Sequence, residues 1–254
     1  FCEFCRMGLT SQCVDIKTSA LGVMRDGGYA EYTIVPEKQC FVLPNDIDDV
    51  LGTQVETLAT VVNGMNTLQM LPYDYVMVLG FGPIGYLYAQ FAKNIAAKVA
   101  VTEIDPFRIE VARQCGLTVW NPKEVNVVEK ITEFTYGKKA DIVIEATGNA
   151  MAQALQCVTP GGKVLPFGMD SSVTIDVVPN DLTRWAIKIL GTYLGQNTMV
   201  PSIRVFRENR LNMVPFFTKV ISLDEGIQAF EYLGLDIKTL QHIPKQAMKI
   251  VMKP

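Results

Sequence analysis

The chain has 254 residues, of which 49% are hydrophobic and 19% charged, with 19 glycines and 13 prolines. At roughly 150 residues per domain, this composition predicts about one and a half to two folded domains and excludes an intrinsically disordered chain. The 26 acidic and 23 basic residues give a net charge of −3, which argues against a general nucleic-acid or anionic-membrane binder.

Three of the six cysteines lie within the first thirteen residues, at Cys2, Cys5 and Cys13. In a cytosolic chain such a cluster favours a metal over a disulfide. Tetrahedral zinc needs four thiolates or imidazoles, and the only histidine, His242, lies far away in the sequence and is expected to be a loop residue. Two interpretations stay open: the cysteines are incidental, or a fourth cysteine precedes Phe1 in a longer protein.

The next segment, residues 14–45, has the composition of short strands and turns. Gly27-Gly28 is a turn signal, and Tyr29–Val35 follows it as a predicted strand.

The other three cysteines, Cys40, Cys115 and Cys157, stand among apolar neighbours. We therefore expect them to be buried as small hydrophobic residues.

From residue 56 the pattern alternates between helices and strands. Helices are predicted over Ala59–Leu68, Ile84–Asn94, Pro106–Cys115, Val127–Phe134 and Met151–Val158. Strands are predicted over Val76–Leu79, Lys98–Thr102, Leu117–Trp120, Asp141–Ala146, Lys163–Phe167 and Ile187–Thr192. This alternation predicts an α/β fold with a doubly wound parallel sheet whose strands all end at one edge.

An uncharged run of 18 residues, Tyr75–Ala92, falls inside this region. Three glycines and Pro83 interrupt it, so we do not expect it to span a membrane. No signal-peptide pattern opens the chain, and we expect a cytoplasmic protein.

The last sixty residues break the alternation. Ser222 and Glu225 have the spacing of a capping box, and the helix that follows is predicted to turn Ile227 and Phe230 inward. Residues 247–252 are a predicted final strand. This tail is expected to return to the N-terminal part of the chain.

The strongest motif is G-x-G-x-x-G, formed by Gly80, Gly82 and Gly85 between a buried strand and a helix. Gly80 allows the tight turn, Gly82 lets the backbone approach a pyrophosphate, and Gly85 lets the helix pack closely on the strand. Pro83 and Ile84 open the helix, whose N-terminal N–H groups favour a phosphate. The alternative is a glycine-rich turn without a ligand.

Other residues are predicted to line the same edge of the sheet. Glu103 ends the second strand and can accept hydrogen bonds from the ribose hydroxyls of adenosine, while Asp105 is expected to cap the next helix. Arg108 is either a cofactor contact or a solvated surface cation. Thr147 and Gly148 follow the fourth strand and are expected to line the crevice.

Taken together, the motifs resemble those of the zinc-dependent medium-chain dehydrogenase/reductase superfamily, in the branch of sorbitol, other polyol, sugar-acid and threonine dehydrogenases. The matching stretches, in family order, are Cys2–Cys13, Asp26–Tyr32, Glu56–Ala59, Gly80–Gly85, Thr102–Pro106, Glu145–Gly148 and Pro160–Val164. The resemblance covers essentially the whole chain, but the part of the family that precedes the cysteine lobe has no counterpart here.

The resemblance implies a GroES-like catalytic domain in two pieces, 1–55 and 195–254, around a Rossmann NAD-binding domain at 56–194. It also implies NAD, a structural zinc at Cys2, Cys5 and Cys13, and a catalytic zinc at or near Glu56. Without that family evidence, Glu56 would be interpreted as a structural acid. The family further implies a small alcohol substrate and a homo-oligomer, either a dimer or a tetramer.

Two hypotheses about function follow. In the first, the full-length protein is an NAD- and zinc-dependent dehydrogenase of a secondary alcohol, in which zinc acts as a Lewis acid on the alkoxide. A zinc-free reductase is a nearby alternative, which the thiol cluster disfavours. In the second, the chain is an NAD-binding module or pseudoenzyme. A polypeptide that begins at Phe1 is expected to be inactive, because most of the family's catalytic zinc ligands lie upstream of the lobe.

Overall fold

The computed structural model describes residues 2–254, except for the side chain of Lys17. It divides into two compact units, one formed by residues 2–63 and Tyr193–Pro254 and the other by Gly64–Thr192. None of the described helices has the length and apolarity that crossing a membrane requires.

The unit of residues 64–192 is built from alternating strands and helices. The strands are β1 (Tyr75–Leu79), β2 (Lys98–Thr102), β3 (Thr118–Trp120), β4 (Ala140–Glu145), β5 (Val158–Pro166) and β6 (Lys188–Ile189). The helices are α5 (Pro83–Ile95), α6 (Pro106–Gln114), α7 (Val127–Phe134), α8 (Met151–Cys157) and α9 (Pro179–Trp185), preceded by the end of α4 (Val55–Leu68). All strand pairs are parallel, in the order β3-β2-β1-β4-β5-β6, which confirms the predicted doubly wound sheet.

Strand β1 lies at the centre of this sheet, where the strand order reverses. Met77 pairs with Ala100 of β2 on one side and with Val143 of β4 on the other. Four of the five residues of β1 are completely buried, as expected for a strand that helices cover on both faces. One core cluster consists of Met77, Leu79, Val127, Ile131, Ala140, Val143, Ala154, Cys157, Val158 and Val164.

The other unit consists mostly of short elements. They are α1 (Glu3–Arg6), α2 (Ile16–Ser19), α3 (Asp49–Gly52), the first turns of α4, α10 (Met199–Arg207), β7 (Phe217–Ser222), α11 (Gly226–Tyr232) and β8 (Lys249–Lys253), with 3-10 turns at Thr10–Gln12, Glu37–Gln39 and Leu223–Glu225. Strands β7 and β8 form a two-stranded parallel sheet. The predicted capping box between Ser222 and Glu225 is confirmed.

The strand predicted at Tyr29–Val35 is wrong. This segment forms no ladder, and Tyr29, Tyr32 and Ile34 are 86%, 90% and 94% exposed. A strand needs a partner for its N–H and C=O groups, and in residues 14–45 the structure records only the isolated bridge between Leu21 and Arg25. Tyr29–Val35 therefore has the alternating sequence of a strand but is not one, because it pairs with no other described segment.

The orientation predicted for helix α11 is also wrong. Ile227 and Phe230 are 64% and 53% exposed, whereas Ala229 is the buried residue of this helix. The helix has only seven residues, so the residue that packs inward is decided by the neighbouring strand β7 and not by the apolar positions.

A close contact inside the unit of residues 64–192 predicts the effect of one substitution. A Cβ atom at Gly64 would lie 1.8 Å from the Tyr88 hydroxyl oxygen. We expect Gly64→Ala to lower the free energy of unfolding by about 1–3 kcal/mol because the core would be overpacked. Urea unfolding measures this change, and Gly191→Ala is the control because nothing lies within 4 Å of a Cβ there.

The buried hydroxyl of Tyr88 has no hydrogen-bond partner among the described residues. Tyr88→Phe should therefore cost little by itself and should restore part of the stability that Gly64→Ala removes. If Gly64→Ala lowered the free energy of unfolding equally in the parent chain and in the Tyr88→Phe variant, the close approach of Gly64 to the Tyr88 hydroxyl would not be the cause.

Candidate functional site

The candidate site begins at the glycine turn between β1 and α5. Gly80 has φ +91°, a conformation that residues with a side chain rarely adopt, and Gly82 is the N-cap of the helix. A Cβ atom at Gly85 would lie only 2.0 Å from the carbonyl oxygen of Gly80. Pro83 occupies the first helical turn, where no N–H is needed. The first turn of α5 therefore packs directly on the turn that ends β1, as the motif predicts.

This turn leaves hydrogen-bond donors for a ligand. The N–H groups of Ile84 and Gly85 lie in the first turn of α5, where an α-helix supplies no acceptor. A Cβ atom at Gly82 would be no closer than 3.4 Å to the nearest atom, the Nη1 of Arg108. Arg108 therefore lies against the side of Gly82 on which a side chain would point.

The carboxylate of Glu103, at the end of β2, is fixed by backbone N–H groups. One oxygen accepts from the N–H of Phe81, at 3.0 Å, and the other accepts from Ile104 and Asp105, at 2.8 and 3.0 Å. Only 7% of Glu103 is exposed. The bond to Phe81 connects the end of β2 directly to the glycine turn.

Arg108 lies beside Glu103, with its Nη1 3.9 Å from a carboxylate oxygen. Its side chain is only 18% exposed, so the alternative of a solvated surface cation is wrong. Asp105 caps helix α6 by accepting the N–H of Arg108, at 3.1 Å, as predicted. The cap sets the first turn of α6, and this turn places the guanidinium between Glu103 and Gly82.

Glu145, at the end of β4, is a residue of this site that the sequence motifs did not indicate. Its buried carboxylate accepts hydrogen bonds from the N–H groups of Thr147, Gly148 and Ala150 and from the Thr147 hydroxyl. The available signal in the sequence is an acidic residue at a strand end, followed by Ala146 and then by Thr147 and Gly148. Glu145 thus shapes the loop in which Thr147 and Gly148 were predicted to line the crevice.

The parallel sheet brings these predicted residues together. Because β1 pairs with β2 and β4, the loops after these three strands meet at one edge. Thr147 reaches the glycine turn, since its Cγ2 would lie 2.6 Å from a Cβ at Gly80. Glu103, Arg108, Thr147 and the glycine turn therefore form one site.

The cysteine cluster is a separate candidate site in the other unit. The Sγ atoms of Cys2, Cys5 and Cys13 all lie within 4.8 Å of one another. Hydrogen bonds from the backbone at Val14 and Cys5 lower the pKa of the Cys2 thiol to about 7, whereas hydrogen bonding with Cys13 raises the pKa of Cys5. A thiolate, the form that binds metal, is therefore accessible near neutral pH.

Glu56 and His242 are not part of a metal-binding cluster. Within residues 2–254, the three cysteines form the only group of three or more ligand side chains close enough to hold a metal. The Glu56 side chain reaches solvent, but desolvation raises the pKa of its carboxyl, and the charge of Lys249 partly offsets this. His242 is exposed in a loop and forms an isolated bridge with Leu235.

The three isolated cysteines differ in burial. Cys115 and Cys157 are buried, as expected, and burial raises the pKa of the Cys157 thiol to about 11. The expectation is wrong for Cys40, which is exposed. Cys40 follows the unpaired segment of residues 29–35, so no neighbouring strand covers it.

Comparison with known proteins shows that this chain is similar to zinc-binding dehydrogenases. Residues 83–208 match the family described as zinc-binding dehydrogenase. The L-threonine 3-dehydrogenase of Pyrococcus horikoshii is 33% identical over 244 residues, which cover 91% of this chain and 68% of that protein. The chain thus spans about two thirds of the length of this relative.

Two solved structures are similar to this chain over most of its length. The 2R,3R-butanediol dehydrogenase of Bacillus subtilis aligns with a TM-score of 0.80 and 26% identity, over 92% of this chain and 66% of that one. A protein of Sinorhizobium meliloti 1021 that was solved with bound NADP aligns with a TM-score of 0.87 and 25% identity, over 100% of this chain and 73% of that one.

The hydrogen bonds of Glu145 predict the effect of replacing its carboxylate by an amide. In Glu145→Gln, an NH2 group would face backbone N–H donors, so we expect the free energy of unfolding to fall by about 1–3 kcal/mol. Urea unfolding measures the loss, and Glu133→Gln is the matched control because Glu133 is exposed on α7. Equal stability of the two variants would show that the loop does not depend on the Glu145 charge.

Proposed function

Because this chain belongs to the zinc-dependent medium-chain dehydrogenase/reductase superfamily, we propose that the protein is an alcohol or polyol dehydrogenase that transfers a hydride from a secondary alcohol to NAD. The observation that carries this proposal is the hydrogen bond from Phe81 to Glu103. It joins a helix N-terminus suited to a pyrophosphate with a carboxylate suited to a ribose.

Each part of the cofactor site has a defined task in this proposal. The N–H groups of Ile84 and Gly85 bind the pyrophosphate, and Gly82 lets it approach. The Glu103 carboxylate has about four acceptor positions, of which three are used by backbone N–H groups, so a position remains for a ribose hydroxyl. When bound, NAD supplies the hydride acceptor.

Two further residues complete the proposed cofactor contacts. Arg108 closes one side of the ribose site by its position beside Gly82. Thr147 and Gly148 line the opposite side, where Glu145 holds their loop.

The cysteine cluster fits three of the four positions of a structural zinc. Three sulfur atoms within 4.8 Å match the donor type and the spacing that tetrahedral zinc prefers. We assign the structural zinc to Cys2, Cys5 and Cys13 and the catalytic role to Glu56. The Glu56 assignment is supported by resemblance to the family alone, since Glu56 belongs to no group of three or more metal-ligating side chains within residues 2–254.

The proposal includes the organisation of the chain. Residues 56–194 are the NAD-binding domain, and residues 1–55 and 195–254 belong to the catalytic domain. The substrate is a small alcohol, and the assembly is a homo-oligomer in the cytoplasm. The second candidate function is a noncatalytic NAD-binding module, and in its favour Glu56 belongs to no group of three or more metal-ligating side chains among the described residues.

The first prediction from this proposal is that NAD binds about tenfold or more tightly than NADP. A 2′-phosphate about 4 Å from the Glu103 carboxylate would be repelled in a partly buried crevice. Calorimetric titration of both cofactors at fixed ionic strength measures the ratio.

Glu103→Gln should reduce this preference, and Glu110→Gln should leave it unchanged because Glu110 is exposed and pairs with Arg113. Tighter binding of NADP than of NAD would refute the placement of the ribose at Glu103.

The second prediction is that a polypeptide of these 254 residues binds NAD without oxidising alcohols. The cofactor residues form one site, whereas Glu56 alone does not hold a metal with an open position for substrate. Without that metal the rate should fall by many orders of magnitude. NADH formation with sorbitol, xylitol, threonine and butanediol, measured beside an NAD titration, tests this; zinc-dependent turnover would contradict it.

A further inference from the structure

A five-residue segment, Leu194–Thr198, forms hydrogen bonds to two parts of its own unit. These parts are helix α4 and the lobe formed by residues 2–14, and both lie more than a hundred residues earlier in the sequence. We call it the 194–198 segment. One set of contacts holds the segment on α4, and the other connects it to the lobe.

One set of contacts anchors the segment on α4. The Thr198 hydroxyl donates a buried hydrogen bond of 2.6 Å to the carbonyl oxygen of Ala59, and Asn63 donates one of 2.8 Å to the carbonyl of Leu194. Gly195 lies so close that a Cβ there would be 3.0 Å from the Cβ of Ala59. The segment is therefore held firmly on the helix.

The other set of contacts reaches the lobe between Cys5 and Cys13. The Asn197 side chain donates to the carbonyl oxygen of Gly8, at 3.1 Å, and the Ser11 hydroxyl donates to Oε1 of Gln196, at 3.3 Å. Gly8 has φ +81° and Asn197 has φ +56°, so both bonded residues are in the left-handed region. These two bonds fix the turn that separates Cys13 from the other two cysteines.

We propose that Asn197 and Gln196 are positioning residues for the cysteine site. They hold the turn of residues 8–11 against the segment anchored on α4, and so keep the Cys13 sulfur within reach of Cys2 and Cys5. A site whose ligands are ordered in advance binds metal more tightly because binding then orders fewer groups. This inference rests on the proposed zinc site, and it assigns part of the affinity of that site to residues nearly two hundred positions away.

Zinc titration against a competing chelating dye is the first arm of the test. Asn197→Gly keeps a backbone that tolerates positive φ but removes the donated bond, and Gln196→Ala removes the acceptor for Ser11. We expect each variant to bind zinc about threefold to tenfold more weakly than the parent chain. Asn209→Gly is the matched control, because Asn209 is another exposed asparagine with positive φ, +46°, in the same unit.

A second arm needs no metal. In zinc-free protein, Asn197→Gly should make Cys5 and Cys13 react faster with iodoacetamide, while the exposed Cys40 reacts at an unchanged rate and serves as the internal reference. If the parent chain binds no zinc but Cys5 and Cys13 still react faster in the variant, the proposed zinc site is wrong and the positioning role is retained. Unchanged zinc affinity together with unchanged thiol reactivity would overturn the inference, as would an equal loss of affinity in Asn209→Gly.

Discussion

The candidate cofactor site depends on two buried carboxylates that accept backbone N–H groups at the ends of β2 and β4. Glu103 and Glu145 each accept several such bonds, and each is less than a tenth exposed. A buried charge is costly unless it is paired, so each loop keeps its N–H groups directed at its carboxylate. The loops that flank the glycine turn are therefore in place before a ligand arrives, which lowers the entropy lost on binding.

The sequence predicts the sheet of residues 64–192 well because the information is local there. Continuous apolar runs indicate buried parallel strands, and cap residues such as Asp105 mark where helices begin. The same reasoning fails at Tyr29–Val35 and in helix α11. Alternating apolar residues indicate which face of a strand would be buried, but only pairing with another segment makes the strand. In α11 the helix is correct and the buried face is not, because a neighbouring strand decides it.

The sequence also predicts the part of the site that has a fixed spacing. The glycine turn and the three cysteines belong to motifs in which a few positions separate the residues that cooperate, and Glu103 stands about twenty positions after the glycine turn, as the dinucleotide-binding motif requires. Glu145 and the 194–198 segment lack such a signature. The bond between Ser11 and Gln196 joins residues 185 positions apart, and no local pattern records such a pairing. Contacts of this kind become visible only when the chain is folded.

The division of the chain into a continuous and a discontinuous unit has a consequence for the order of folding. Residues 64–192 contain all six strands of the main sheet, so this unit can fold as soon as its own residues have left the ribosome. Residues 2–63 must wait for residues 193–254, which supply their partners. Collapse of the intervening unit shortens the effective loop between these two pieces and lowers the entropy cost of closing it. The early folding of the main sheet thus assists the assembly of a unit that is translated both before and after it.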